Sequence, residues 1–236
     1  MDYDFSDKVV LVTGASAGIG EAIALLFAKI GAKLSLVGRN EANLRAVSAE
    51  CEKQKGVKPL VIVADLGTDE GVEKTAKDTL KHFGRLDVLV NNAAIGVSTW
   101  LLHETDMKVF DDVFKINVRG VYYLTKLLAP ALVESKGNIV NISSVAATMV
   151  YVGSLPYSMT KVSEFVNRIT GFTEEQYKNW LTKFSKNIPM GEPCVGDDIA
   201  HMVVHIASDH SRLVTGTTVN VDGAYRFVGV TSLFDD

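Results

Sequence analysis

Thr13-Gly14-Ala15-Ser16-Ala17-Gly18-Ile19-Gly20 decides the fold. Three glycines at spacing G-x3-G-x-G lie between an apolar run, residues 9–12, and an amphipathic stretch, residues 18–30. Ile19, Ile23, Leu26, Phe27 and Ile30 make one stripe of that stretch, as a helix packed on a sheet requires. Strand, glycine turn and helix in this order suit a dinucleotide. Gly14 permits the tight turn, Gly18 lets the backbone approach a pyrophosphate, and Gly20 lets helix and strand pack closely. Ser16 is the expected N-cap.

Outward from this turn, short runs rich in Val, Ile and Leu recur at residues 34–37, 60–64, 86–90, 139–142 and 217–221. Near-continuous apolar runs bounded by Gly, Asp or Asn are the pattern of strands buried on both faces. Residues 109–132 and 197–207 read as helices, the second opened by Asp197 and Asp198 where acidic groups favour the helix dipole. The expected fold is α/β, a doubly wound parallel sheet in one Rossmann-like domain over residues 1–236, with six strands legible.

The chain has 236 residues, 47% hydrophobic and 22% charged, which excludes a disordered or fibrous chain. Its net charge of −4 argues against a nucleic-acid partner or docking on anionic membranes. Nothing approaches the roughly 18 apolar residues that a bilayer span needs, and the first residues, Met-Asp-Tyr-Asp-Phe-Ser-Asp, do not read as a secretory signal. The two cysteines, Cys51 and Cys194, cannot form a disulfide scaffold, so the expectation is a cytoplasmic protein with reduced thiols. His201 and His205 have ligand spacing on a helix but no third ligand, and no metal is expected.

The second strand ends in Gly38-Arg39-Asn40. A carboxylate there would bind the ribose 2′-hydroxyl of NAD(H). Gly38 removes it and Arg39 offers a planar cation for a 2′-phosphate, so NADP(H) is favoured over NAD(H). Asp65, ending the third strand, is placed either to meet the adenine amino group or to cap the next helix.

With Asn91-Asn92-Ala93-Ala94, Asn117, Ser143-Ser144, Tyr157-x3-Lys161 and Val221-Asp222-Gly223 in order behind the glycine turn, the chain resembles the short-chain dehydrogenase/reductase family from about Asp7 to Gly223. The resemblance implies hydride transfer between a nicotinamide dinucleotide and a carbonyl or alcohol. It implies Asn117, Ser144, Tyr157 and Lys161 as the catalytic set. Tyr157 and Lys161 are four apart and share a helix face; a neighbouring ammonium favours phenolate, which lets Tyr157 act as general acid or base. Ser144 would hold the substrate oxygen, Lys161 the nicotinamide ribose, and Asn117 a water that relays protons. The resemblance assigns Gly14, Ser16, Gly18, Ile19, Gly20, Arg39, Asn40, Asp65, Leu66, Asn91, Ala93, Tyr157 and Lys161 to the cofactor. It assigns Ser144, Met149, Tyr151 and Tyr157 to the substrate. Ala94 and Ala224 stand where the family usually has glycine.

After Lys161 the family pattern breaks. Most of a helix and one strand, roughly 20–30 residues at ordinary element lengths, are absent from the sequence. Whether this is a deletion in the protein or a segment of a longer form stays open. Residues 162–190, with Phe165, Phe172, Tyr177, Trp180 and Phe184, resemble the family's substrate-covering lid. Together with Trp100, Met149, Val150, Tyr151 and Leu155 they imply an apolar or medium-sized substrate. Tyr122 and Tyr123 read as core or subunit contact, and the resemblance implies a homodimer or homotetramer. The reading is an NADPH-dependent carbonyl reductase, or its reverse. A catalytically weak dinucleotide-binding sensor or scaffold is the competing reading.

Overall fold

The computed structural model describes residues 3–55, 57–97, 99, 107–148, 153–161 and 188–227. Five parallel strands form one sheet in the order β3-β2-β1-β4-β5: β1 Val9–Thr13, β2 Lys33–Gly38, β3 Leu60–Val63, β4 Val88–Asn91 and β5 Asn138–Asn141. The order reverses between β1 and β4, so a crevice opens beyond their carboxyl ends, where such sheets bind ligands. Seven α-helices are described: α1 Gly18–Lys29, α2 Glu41–Lys55, α3 Asp69–Phe83, α4 Met107–Phe114, α5 Val121–Ser135, α6 Leu155–Lys161 and α7 Gly196–Ala207. None is long and apolar enough to cross a membrane.

Two apolar cores cover the sheet. Val10, Val12, Leu34, Leu36 and Val140 face α1 and α7, whose Phe27 and Val203 are buried there. Val9, Leu11, Val37, Ile62 and Leu89 pack against Val72 of α3 and Leu124 and Leu128 of α5. Successive side chains alternate faces, so a strand with no polar position in its middle fills both layers at once.

Three expectations are corrected. Residues 217–221 form no strand. A strand exists only with a ladder partner, and β5 is the last strand of the described sheet. Residues 109–132 are not one α-helix: a π-helical segment, Lys115–Gly120, separates α4 from α5. Ser16 is not the N-cap of α1; Ala17 holds that position and provides no side-chain cap. Apart from these three, Tyr122 is 69% exposed, which removes the core from its two readings and leaves that of a subunit contact, whereas the Tyr123 hydroxyl donates to Glu73 Oε1 at 2.7 Å.

Candidate functional site

The glycine turn is built from the backbone outward. Gly14 is left-handed at φ +66°, and a Cβ there would lie 2.9 Å from both Ala93 Cα and Asn92 Nδ2. Gly20 is closer still: its Cβ would meet the Gly14 carbonyl oxygen at 2.2 Å, so it seats the helix on the turn. Gly18, at φ +61°, faces open space. The first N–H groups of α1 therefore point into the cleft with no side chain capping them, an anion site by geometry and dipole. That cradle fits a pyrophosphate.

Thr13 and Asn92 hold the turn in place. Thr13 Oγ1 donates to the Val90 carbonyl and accepts from the N–H groups of Asn92 and Ala93, both at 2.9 Å. Asn92 Nδ2 donates to the carbonyls of Thr13 and Gly14. The sequence reading missed both residues, although Asn92 lies inside a quoted motif and Thr13 directly precedes the first glycine.

One cleft of about 1890 Å³ runs along the carboxyl ends of the strands and takes in Gly14, Ser16, Gly18, Ile19, Gly20, Arg39, Asp65, Leu66 and Ala93. Ser16 lies beside Gly38, where a Cβ would meet its hydroxyl at 3.4 Å. Arg39 is exposed, and no ion pair ties it to another described residue. The Asn40 carboxamide is occupied locally, accepting from the Asn43 N–H at the start of α2. Asp65 Oδ1 accepts from the Gly67 N–H at 2.9 Å, while Thr68 caps α3. Asn91 ties three elements together: Nδ2 donates to Asn141 Oδ1 on β5 at 2.8 Å and to Thr125 Oγ1 on α5 at 3.3 Å.

The opposite end of the cleft carries Ser144 and Tyr157. Ser144 follows β5, and its Oγ accepts from the Ala146 N–H at 3.0 Å, which opens a short 3-10 turn, Val145–Ala147. Ser143 instead donates to the Lys161 carbonyl at 3.3 Å. Tyr157 and Lys161 are 8% and 2% exposed, and Lys161 Nζ sits 5.6 Å from the Tyr157 ring centroid. The shared helix face therefore brings them together.

Asn117, 1% exposed in the π-helical segment, uses its whole carboxamide. Oδ1 accepts from the Ile95 N–H, Nδ2 donates to the Ile95 carbonyl, both at 2.9 Å, and Nδ2 also donates to Thr160 Oγ1 at 3.1 Å. The segment after β4 and the helix of Tyr157 are thus pinned by one side chain. Leu155, at the start of α6, is 43% exposed. Met149, Val150, Tyr151, Trp100 and residues 162–187 lie outside the described residues.

Neither thiol is activated. Burial pushes Cys51 up to about 12, and partial desolvation with the nearby Asp198 carboxylate pushes the thiol of Cys194, an exposed residue, up to about 11. Of the histidine pair, His205 Nδ1 bonds the Tyr3 hydroxyl at 3.1 Å.

Residues 8–181 match the family model described as short chain dehydrogenase. A 3-oxoacyl-[acyl-carrier-protein] reductase of Thermotoga maritima is 30% identical, covering 92% of this chain and 96% of its own. L-xylulose reductase of Caenorhabditis elegans is 32% identical over 95% and 98%. The alignments run over 240 and 250 positions, more than the 236 residues of this chain, so these relatives carry residues that it lacks. A 3-ketoacyl-(acyl-carrier-protein) reductase from Brucella melitensis, solved with NADH, superposes with a TM-score of 0.81 at 30% identity, covering 94% of this chain and 100% of that one.

Proposed function

The chain belongs to the short chain dehydrogenase family, and from that premise we propose that it is an NADP(H)-preferring oxidoreductase interconverting a carbonyl and an alcohol on an apolar or medium-sized small molecule. The observation that carries the reading is the buried Tyr157–Lys161 pair, 5.6 Å from ring centroid to Nζ, at the end of the cleft that begins with the uncapped N-terminus of α1.

When bound, the nicotinamide supplies or accepts the hydride. The residues of the chain do the rest. The N–H groups after Gly18 receive the pyrophosphate. Arg39, held by no described carboxylate, receives the 2′-phosphate; Asp65 and Leu66 flank the adenine. Tyr157 gives its phenolic proton to the carbonyl oxygen or takes it back from the alcohol. Lys161 stabilises the phenolate by its positive charge and holds the ribose. The Ser144 hydroxyl, which already accepts one hydrogen bond, donates its proton to the substrate oxygen. Asn117 enters as a positioning residue, since its amide hydrogens are bonded to Ile95 and Thr160. Met149 and Tyr151 belong to the substrate side of this reading. A cytoplasmic homodimer or homotetramer is part of it.

A second reading, a weakly catalytic dinucleotide-binding sensor, draws on one observation: residues 217–221 form no strand beside the last strand of the sheet. Turnover of a panel of ketones with NADPH separates the two. Steady oxidation of NADPH supports the reductase; NADPH binding without turnover of any ketone supports the sensor.

A further inference from the structure

Thr160 is fully buried, and its hydroxyl both donates and accepts. Oγ1 donates to the Tyr157 carbonyl at 2.7 Å and accepts from Asn117 Nδ2 at 3.1 Å. Bonding back to the carbonyl three residues earlier competes with the helix's own ladder. Branching at Cβ restricts χ1, so the helix that carries the hydroxyl also fixes its direction. Asn117 is fixed in turn, because its carboxamide also bonds both backbone groups of Ile95. One path of hydrogen bonds therefore runs from the segment after β4, through the π-helical Lys115–Gly120, to the backbone of Tyr157.

The last turn of α6 begins at Tyr157 and ends at Lys161. It is tied from outside at both ends. The Tyr157 carbonyl is held by Thr160, and the Lys161 carbonyl accepts from the Ser143 hydroxyl at 3.3 Å. A helix of two turns has little stability of its own, so such bonds set the shape of the turn. That shape sets the 5.6 Å between Lys161 Nζ and the Tyr157 ring centroid.

Little else in the described surroundings can influence the phenol by charge. α6 packs on α4, on the π-helical segment and on the turn Val145–Ala147. Their charged residues are Lys108, Asp111, Asp112, Lys115 and Arg119. All are exposed except Asp112, which is half-buried and paired with Lys108. Among the described residues the buried charged groups are Lys161 and Asp87, and Asp87 lies at the amino end of the sheet.

We propose that Thr160 is a positioning residue. Its hydroxyl joins Asn117 to the backbone of Tyr157 and so holds the phenol against the Lys161 ammonium. The role in turnover rests on the acid–base reading of Tyr157 given above.

Ultraviolet difference titration of the full chain without cofactor tests it. The chain has seven tyrosines, and the difference between each protein and its Tyr157→Phe counterpart isolates the ionisation of one. Thr160→Val keeps the branched shape and removes the hydroxyl. Its Tyr157 phenolate step should move up by at least about half a pH unit, because a less closely held ammonium favours phenolate less. Thr160→Ser keeps the hydroxyl and should return the step to within about 0.2 of a unit of the parent. With the best ketone found, Thr160→Val should lower kcat about tenfold or more, with KM for NADPH within about twofold. Thr160→Ala removes the same hydroxyl with no added bulk and gives the same readings if the valine variant does not fold. An unmoved step, an unmoved kcat, or an equal shift in Thr160→Ser overturns the proposal. If Tyr157→Phe itself retains turnover, the acid–base reading falls, and the substrate-free titration still decides whether Thr160 holds the pair.

Discussion

Asn117 brackets Ile95: one carboxamide accepts from its N–H and donates to its carbonyl, both at 2.9 Å. A side chain that satisfies both backbone groups of another residue replaces a strand partner at a place where the chain leaves β4. The third bond, to Thr160, extends the same support to the residue before Lys161.

Asn117→Ala leaves those backbone groups unpaired. Unfolding by urea should show a loss of about 2–4 kcal/mol. Turnover should fall with it, because the α6 helix loses its anchor to the segment after β4.

Arg39→Ala should raise KM for NADPH about tenfold or more, the scale of a lost charge-assisted contact to phosphate. KM for NADH should stay within about twofold, since that cofactor offers no 2′-phosphate. Steady-state kinetics with both cofactors check this; an unchanged NADPH to NADH ratio removes Arg39 from cofactor selection.

Ala224 sits at φ +69°, in the left-handed region that a Cβ disfavours, directly after Gly223 at φ +59°. It is held there by the Asp222 side chain, which accepts its N–H at 3.1 Å. Ala224→Gly should therefore stabilise the fold by about 0.5–1 kcal/mol, the strain relieved less the entropy that glycine adds to the unfolded chain. Thermal unfolding of the two proteins measures it.

Asp87 joins the starts of β1 and β4. Its carboxylate accepts from the Val9 N–H at 2.9 Å and from Arg85 at 2.9 and 2.6 Å. Burial alone would raise its pKa; the hydrogen bonds from Arg85 and Val9 outweigh burial and hold it below the usual carboxylate range. A depressed folded value means that ionised Asp87 stabilises the protein above the unfolded pKa of about 4, and that this is lost as pH falls through the lower folded value. Asp87→Asn should destabilise the protein at pH 7 and flatten the acid limb of its stability curve.

The glycine turn and the five strands of the sheet are legible in local pattern, and the Tyr157–Lys161 pair in the family resemblance, its four-residue spacing adding only that the two share a helix face. A period of two or four residues puts side chains on a face whatever the rest of the chain does. Other features were not, for physical reasons. Residues 217–221 have the composition of a strand, but a strand needs a neighbour, and that neighbour is a property of the whole sheet. Lys115–Gly120 shows a helical pattern that does not distinguish an α from a π turn. Thr13 and Asn92 make bonds between residues nearly eighty positions apart, which no spacing reveals. The Asn117 carboxamide announced itself only as an unfavourable residue in a helix, and its partners appeared with the fold.

The acid–base role of Tyr157 is the central claim, and Tyr157→Phe tests it most directly. The substitution keeps the buried ring beside Lys161 and removes only the hydroxyl. Turnover of the best ketone found with NADPH should fall by about a hundredfold or more, while NADPH binding followed by fluorescence stays within about twofold of the parent. Turnover within about twofold of the parent would contradict the account.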